Sequence, residues 1–221
     1  MSGLTAILAG ATGLVGGECL KRLLDAAQYD RVIVLARRDL GEAARHPKLR
    51  QAVIEFEHLG GLRKSLRADH VFCALGTTIR KAGSKAKFRE VDFEYPLRLA
   101  QITRMNGAGH FSIVSALGAS KSSPFFYSRV KGEVEQGLQG MEWPSLAIFR
   151  PSVIAGERAE SRPLERLGEH LLRFAPATWR PVAASDIAAA MVATALKCPP
   201  GVAVIESRDI ADAARGVGRF G

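Results

Sequence analysis

Short apolar runs alternate along the chain with stretches in which apolar residues return every three or four positions. Leu4 to Ala9 is the first apolar run, and a glycine-rich turn follows it. Leu14, Val15, Cys19, Leu20, Leu23, Leu24 and Ala27 then fall on one face of a helix. Further strands are predicted at Val32 to Ala36, Ala52 to Phe56, Asp69 to Ala74, His110 to Ser115, and Ser145 to Arg150, where Pro151 stops the run. A last strand spans Val202 to Glu206. Helical periodicity covers Phe88 to Asn106, closed by the stop signal Asn106-Gly107, and Tyr127 to Leu138. Leu164 to Phe174 is amphipathic, and Ser185-Asp186 reads as the cap of a helix running to Lys197.

Strands that are apolar on both faces, each followed by a helical pattern, predict an α/β fold. A doubly wound parallel sheet covered by helices on both faces meets that pattern. The chain carries neither an internal repeat nor a linker-like stretch. It is read as one domain over residues 1–221, with a small C-terminal elaboration on the substrate side at about 152–185.

The first turn reads Gly10-Ala11-Thr12-Gly13-Leu14-Val15-Gly16. Its place between an apolar strand and an amphipathic helix gives the spacing a mechanism. Glycines permit a tight turn, and the open N–H groups at the helix start can face a pyrophosphate. An ordinary glycine turn is the plain alternative. Cofactor discrimination belongs at the end of the second strand, where an acidic residue would accept from a ribose 2′-hydroxyl. Here the chain has Arg37-Arg38, which suits a 2′-phosphate and hence NADP(H), although Arg38 can equally be a solvated surface residue. The fourth strand ends in Cys73-Ala74-Leu75-Gly76-Thr77-Thr78, where small residues allow a cofactor close to the backbone; Cys73 is read as a packing residue.

Ser115 ends the fifth of these strands, Tyr127 follows twelve residues later, and Lys131 four after that, on the face of Tyr127. An ammonium beside a phenol favours the phenolate. A tyrosine so placed can exchange a proton with a substrate oxygen while hydride moves to or from a nicotinamide, and a strand-end serine can bond the same oxygen.

The glycine loop, Leu75-Gly76-Thr77-Thr78, Ser115, Tyr127-x-x-x-Lys131 and Arg150-Pro151 together resemble the short-chain dehydrogenase/reductase superfamily. Lys81-Ala82-Gly83, Ser122-Ser123, Lys131-Gly132-Glu133-Val134-Glu135 and Glu160-Ser161-Arg162-Pro163 narrow the likeness to its atypical branch containing the human Tat-interacting protein. The resemblance covers about residues 5 to 206. It implies a Rossmann-like fold with NADP(H) at the sheet edge and Ser115, Tyr127 and Lys131 in the triad positions. Lys131 would also contact the nicotinamide ribose. The loop at Ser152-Val153-Ile154 would offer backbone to the carboxamide. The asparagine of the usual tetrad stands here as Asp92, which cannot relay a proton through Lys131 in the same way. The expected function is therefore an NADP(H)-dependent oxidoreductase acting on an unidentified carbonyl or alcohol. A non-catalytic NADP(H)-sensing regulator that binds a protein partner is the alternative.

Charge adds one feature. Lys and Arg number 31 against 22 Asp and Glu, a formal charge of +9, which favours anionic partners without choosing among them. Five of the cations, Arg80, Lys81, Lys85, Lys87 and Arg89, fall within ten residues just past the fourth strand. They are read as a solvated basic loop or as an attractor of anionic substrate at the cleft mouth. Nucleic acid is not expected, because only Phe88 interleaves with them. Phe125, Phe126 and Trp179 are read as core or lid anchors, with an apolar pocket near Tyr127 as the alternative.

Cys19, Cys73 and Cys198 and the five scattered histidines show no ligand spacing, so neither disulfide nor metal is expected. No spanning segment or leader is apparent, and the expected compartment is the cytosol. The polar positions of the 88–106 helix predict a monomer or weak dimer.

Overall fold

The computed structural model describes residues 3–41, 45–155 and 180–217. Strands β1 (Leu4–Ala9), β2 (Tyr29–Ala36), β3 (Leu49–Val53), β4 (His70–Cys73), β5 (His110–Val114) and β6 (Ser145–Arg150) appear in chain order. The short pair β7 (Ile154–Ala155) and β8 (Val182–Ala183) and then β9 (Gly201–Glu206) follow. Among the described residues the sheet order is β3-β2-β1-β4-β5-β6-β9, every neighbour parallel, with β7 and β8 forming a separate two-stranded pair. The helices are α1 (Leu14–Asp25), α2 (Ile79–Ala82), α3 (Lys85–Arg89), α4 (Tyr95–Met105), α5 (Phe126–Gln139), α6 (Ala184–Lys197) and α7 (Ile210–Ala214).

The doubly wound fold expected from the sequence is the one observed, and β1 shows why. Its side chains alternate between two cores, Ala6 and Leu8 facing one way and Ile7 and Ala9 the other, all fully buried. On the first side lie Val15, Cys19, Leu20 and Leu23 of α1 with Ile187, Ala188 and Met191 of α6. On the second lie Tyr95, Leu99 and Ile102 of α4 with Val134 and Leu138 of α5. Strand order reverses between β1 and β4, which opens a crevice at the carboxyl ends of those strands.

Three elements differ from expectation. The third strand is Leu49–Val53 instead of Ala52 to Phe56, because Leu49 pairs with Val32 and Val53 with Ala36 at the end of β2. Phe56 instead opens a 3-10 turn over Phe56–Leu62 that sends Phe56 and Leu59 into the second core. The 88–106 helix starts earlier, at Lys85, and is interrupted by a π turn at Glu90–Glu94 before α4 begins with Pro96 in its first turn. Its predicted stop holds, with Gly107 at φ +92. The helix to Lys197 is capped at Ala183, not at Ser185-Asp186; both residues lie inside its first turn, where the Asp186 carboxylate suits the positive end of the helix dipole.

The sheet register also assembles a buried polar row. His70 lies opposite His110, and His110 opposite Ser145. Tyr29 Oη lies 2.8 Å from His70 Nδ1, His110 Nδ1 2.8 Å from Ser145 Oγ, and His110 Nε2 2.7 Å from Ser112 Oγ. Burial, with the neighbouring His70 adding to it, pushes His110 down to about 3, and burial also lowers His70 against the opposing pull of Asp69. The expectations for Leu164 to Phe174, Glu160 to Pro163 and Trp179 fall outside the described residues.

Candidate functional site

The crevice is built first by glycines that admit no side chain. Gly10 sits at φ +93, and a Cβ there would overlap the Ala74 carbonyl of the loop after β4. A Cβ on Gly16 would overlap the Gly10 carbonyl, so α1 can lie this close to β1 only through glycine. Gly13 N donates to Gly10 O at 2.9 Å and forms the N-cap of α1 without a side-chain cap. No acidic residue lies in the first turn of α1, which leaves its N–H groups open to an anion. Thr12 and Gly13 are exposed and Leu14 half-buried, whereas Val15 turns into the core and offers the crevice only backbone.

Past β2, Arg37 and Arg38 are both exposed and line, with Thr12 and Asp39, a pocket of about 240 Å³. Gln51 braces this loop, its Nε2 donating to Arg38 O at 2.9 Å and its Oε1 accepting from Leu40 N at 3.2 Å. Neither guanidinium is paired with a carboxylate among the described residues. The pocket thus joins two guanidinium groups and a hydroxyl, beside an uncapped helix start, with the Asp39 carboxylate, whose Oδ1 accepts from Gly41 N at 2.8 Å.

The loop after β4 is tied to the opposite side of the crevice by Asp92. This carboxylate is 1% exposed, and the π turn aims it inward. Its Oδ2 accepts from Thr77 N at 2.9 Å, and its Oδ1 lies 2.7 Å from Lys131 Nζ. Burial pulls Lys131 downward, but the attraction of Asp92, with Tyr127 and a hydrogen bond to Asp92, outweighs it and holds the ammonium above the ordinary lysine value. Burial pushes the Cys73 thiol up to about 12, so it stays protonated and packs, as expected.

Tyr127 lies in the first turn of α5, one turn before Lys131, 38% exposed, with its ring centroid 5.6 Å from that of Phe88. Ser115 follows β5, its N–H held by Phe149 O at 2.7 Å. Its hydroxyl does not face outward as expected: it is buried and donates to Glu135, one further turn along the same face of α5. Glu135 is 2% exposed and accepts Arg150 Nε at 3.1 Å and Nη2 at 2.6 Å, while Arg150 Nη1 reaches Glu206 at 2.9 Å. The hydrogen bonds of these two carboxylates raise the Arg150 pKa against the effect of burial. Sequence reasoning missed Glu135, although its position four residues after Lys131 on the same helix face was a readable signal. Val153 is exposed after β6, with its carbonyl taken by Val182 N at 2.9 Å. Leu75 and Gly76 stand beside the glycine loop, Gly76 exposed and Leu75 half-buried.

No protein-family model matches the chain. The HTATIP2 protein of Rattus norvegicus is 36% identical over 181 residues, covering 81% of this chain and 74% of that protein. The FMP52 protein of Candida albicans, described as mitochondrial, is 30% identical over 193 residues, 83% of this chain and 84% of its own. Among solved structures, MoeE5 with UDP-glucose and NAD superposes at a TM-score of 0.71 and 17% identity, over 91% of this chain and 75% of that one. The Bordetella bronchiseptica enzyme WbmG with NAD gives 0.70 and 16%, over 99% and 79%. Both share the fold. The mitochondrial designation of the fungal relatives overturns the cytosolic compartment expected from the sequence. Composition and the lack of long apolar segments carry no address. Among the described residues no helix is long and apolar enough to cross a membrane.

Proposed function

The chain belongs to the family of HTATIP2 and the FMP52 proteins, an atypical branch of the short-chain dehydrogenase/reductases, and from that premise we propose that it is an NADP(H)-dependent oxidoreductase acting on a carbonyl compound or the matching alcohol. The observation that carries this reading is the Tyr127–Lys131 turn of α5, standing at the carboxyl edge of the sheet that also bears the glycine loop. Gly10, Thr12, Gly13, Gly16 and the start of α1 would hold the pyrophosphate, Leu75, Gly76 and Thr77 the middle of the dinucleotide, and Val153 the nicotinamide end. Arg37 and Arg38 would select the 2′-phosphate.

A nicotinamide held there would supply or take up the hydride. Tyr127 gives its phenolic proton to the substrate oxygen, and Lys131, kept cationic by Asp92, steadies the phenolate left behind. With Tyr127 38% exposed, its proton would return from water without a relay through Lys131. Ser115, having donated to Glu135, has only lone pairs left to offer, so Tyr127 alone polarises a carbonyl.

The same serine is what favours the second reading, a regulator that binds NADP(H) without turnover. A panel of aldehydes and ketones with NADPH separates the two. Carbonyl-dependent consumption that Tyr127→Phe abolishes supports the oxidoreductase. Tight cofactor binding with no consumption above background supports the regulator. We read the chain as one domain, monomeric or weakly dimeric.

A further inference from the structure

The three segments that follow β4, β5 and β6 at the carboxyl edge of the sheet share a charge bias. Residues 75–89, 115–132 and 150–155 contain no Asp or Glu. The first two hold Arg80, Lys81, Lys85, Lys87, Arg89, Lys121, Arg129 and Lys131. Some of these charges are consumed locally: Lys87 pairs with Glu57 and Glu90, Arg89 with Glu133, and Lys131 with Asp92. Arg80, Lys85, Lys121 and Arg129 have no carboxylate partner among the described residues.

Two of those four converge on one aromatic ring. Lys85 Nζ lies 5.4 Å and Arg129 Cζ 6.0 Å from the centroid of Phe126. The Phe126 ring packs 5.8 Å from Phe88, and Phe88 in turn packs 5.6 Å from Tyr127. Arg129 is fixed in place by Nη1, which donates to the carbonyls of Ser123 and Pro124 at 2.9 and 3.3 Å. Phe125 beside it is 73% exposed, and Ile79 at the start of α2 and Val153 after β6 are exposed as well. Two like charges held about one ring without a counter-ion, next to uncovered apolar surface, complement a ligand that is itself negative and partly apolar.

We propose that the substrate is an anionic carbonyl compound, or its alcohol, with a planar apolar body that lies against Phe125 and Phe126 and an acidic group held by Lys85 and Arg129. This rests on the oxidoreductase reading for the carbonyl, but the charge recognition can be tested without turnover.

The test compares para-carboxybenzaldehyde with para-tolualdehyde, two probes of similar shape that differ in charge. Binding of each to the NADP⁺-saturated protein is measured by ligand-observed NMR titration, and turnover with NADPH is measured in parallel. The acid is expected to bind about tenfold more tightly or better, with the preference shrinking as salt rises. Lys85→Glu is expected to erase that preference, with NADPH affinity reporting that the variant is folded. Equal binding of the two probes, or a preference that survives Lys85→Glu, overturns the proposal. Selective binding of the acid without any reduction upholds the charge recognition and counts against the oxidoreductase reading instead.

Discussion

Asp92 Oδ1 stands 2.7 Å from Lys131 Nζ with both side chains shut off from water, so a full charge and not a neutral amide holds the lysine of the candidate site. The same carboxylate takes the Thr77 N–H, and one buried group thereby ties the loop after β4 to α5.

Asp92→Asn should reveal that dependence. Removing one partner of a buried ion pair costs about 3–5 kcal/mol, read as a fall in the urea midpoint. In the intact protein the folded value of Lys131 is raised, so its stabilisation is fully present below the ordinary lysine value of about 10.4 and is lost only as pH rises through the folded value. In the variant the attraction and hydrogen bond of Asp92 are gone, and burial, which favours the neutral amine, is opposed only by Tyr127 and Cys73. Calorimetric NADPH affinity should then weaken between about pH 7 and 9, a range over which the intact protein stays level. A level profile in the variant would sink this account of Lys131.

Arg37→Glu tests cofactor choice. One charge-assisted contact to a 2′-phosphate is worth about 1.5–3 kcal/mol, so NADPH affinity should fall about 10- to 150-fold while NADH affinity changes little. Calorimetric titration of both dinucleotides reads the difference, and equal affinities in the unmodified protein would contradict the assignment of the pocket.

Tyr127→Phe should leave NADPH affinity nearly unchanged and cut carbonyl turnover by about 10²–10⁴. Lys131→Ala should damage both, because its ammonium serves the phenolate and the ribose. Stopped-flow single-turnover rates distinguish a slow chemical step from slow product release.

Acid should weaken the fold through the histidine row. Because the folded values of His110 and His70 are depressed, the unfolded chain takes up protons that the folded chain refuses. Stability therefore falls as pH drops below about 6.5, by up to about 1.4 kcal/mol per pH unit for each histidine. Urea midpoints measured at about pH 7.5, 6 and 5 check this, and constant midpoints would refute it.

The histidine row also marks where sequence reading stops. Strand and helix identities were legible because burial on both faces of β1, β4 and β5 leaves nearly unbroken apolar runs, and the glycine loop declared itself by following one. His70, His110 and Ser145 look scattered along the chain, 40 and 35 residues apart, and only the parallel register lines them up. The third strand was misplaced because Ile54 and Phe56 extend an apolar run that the chain leaves at Val53 to fill the second core from a 3-10 turn. Ser115, Tyr127 and Lys131 were legible as residues on one edge, but the direction of the Ser115 hydroxyl depends on Glu135, and a single periodicity carries no such information.

The π turn at Glu90–Glu94 has a consequence for how this site could be lost. A turn of this kind holds one residue more than a regular helix needs, and each residue rotates a helix by about 100°. Deleting Val91 or Phe93 would repair the hydrogen-bond ladder of the α3–α4 run and give a better helix. It would also swing Asp92 away from Thr77 and Lys131, because the side chains before and after the turn would no longer be in phase. The irregularity works as a one-residue frame shift in space, and a sequence that healed it would gain a helix turn and release its lysine.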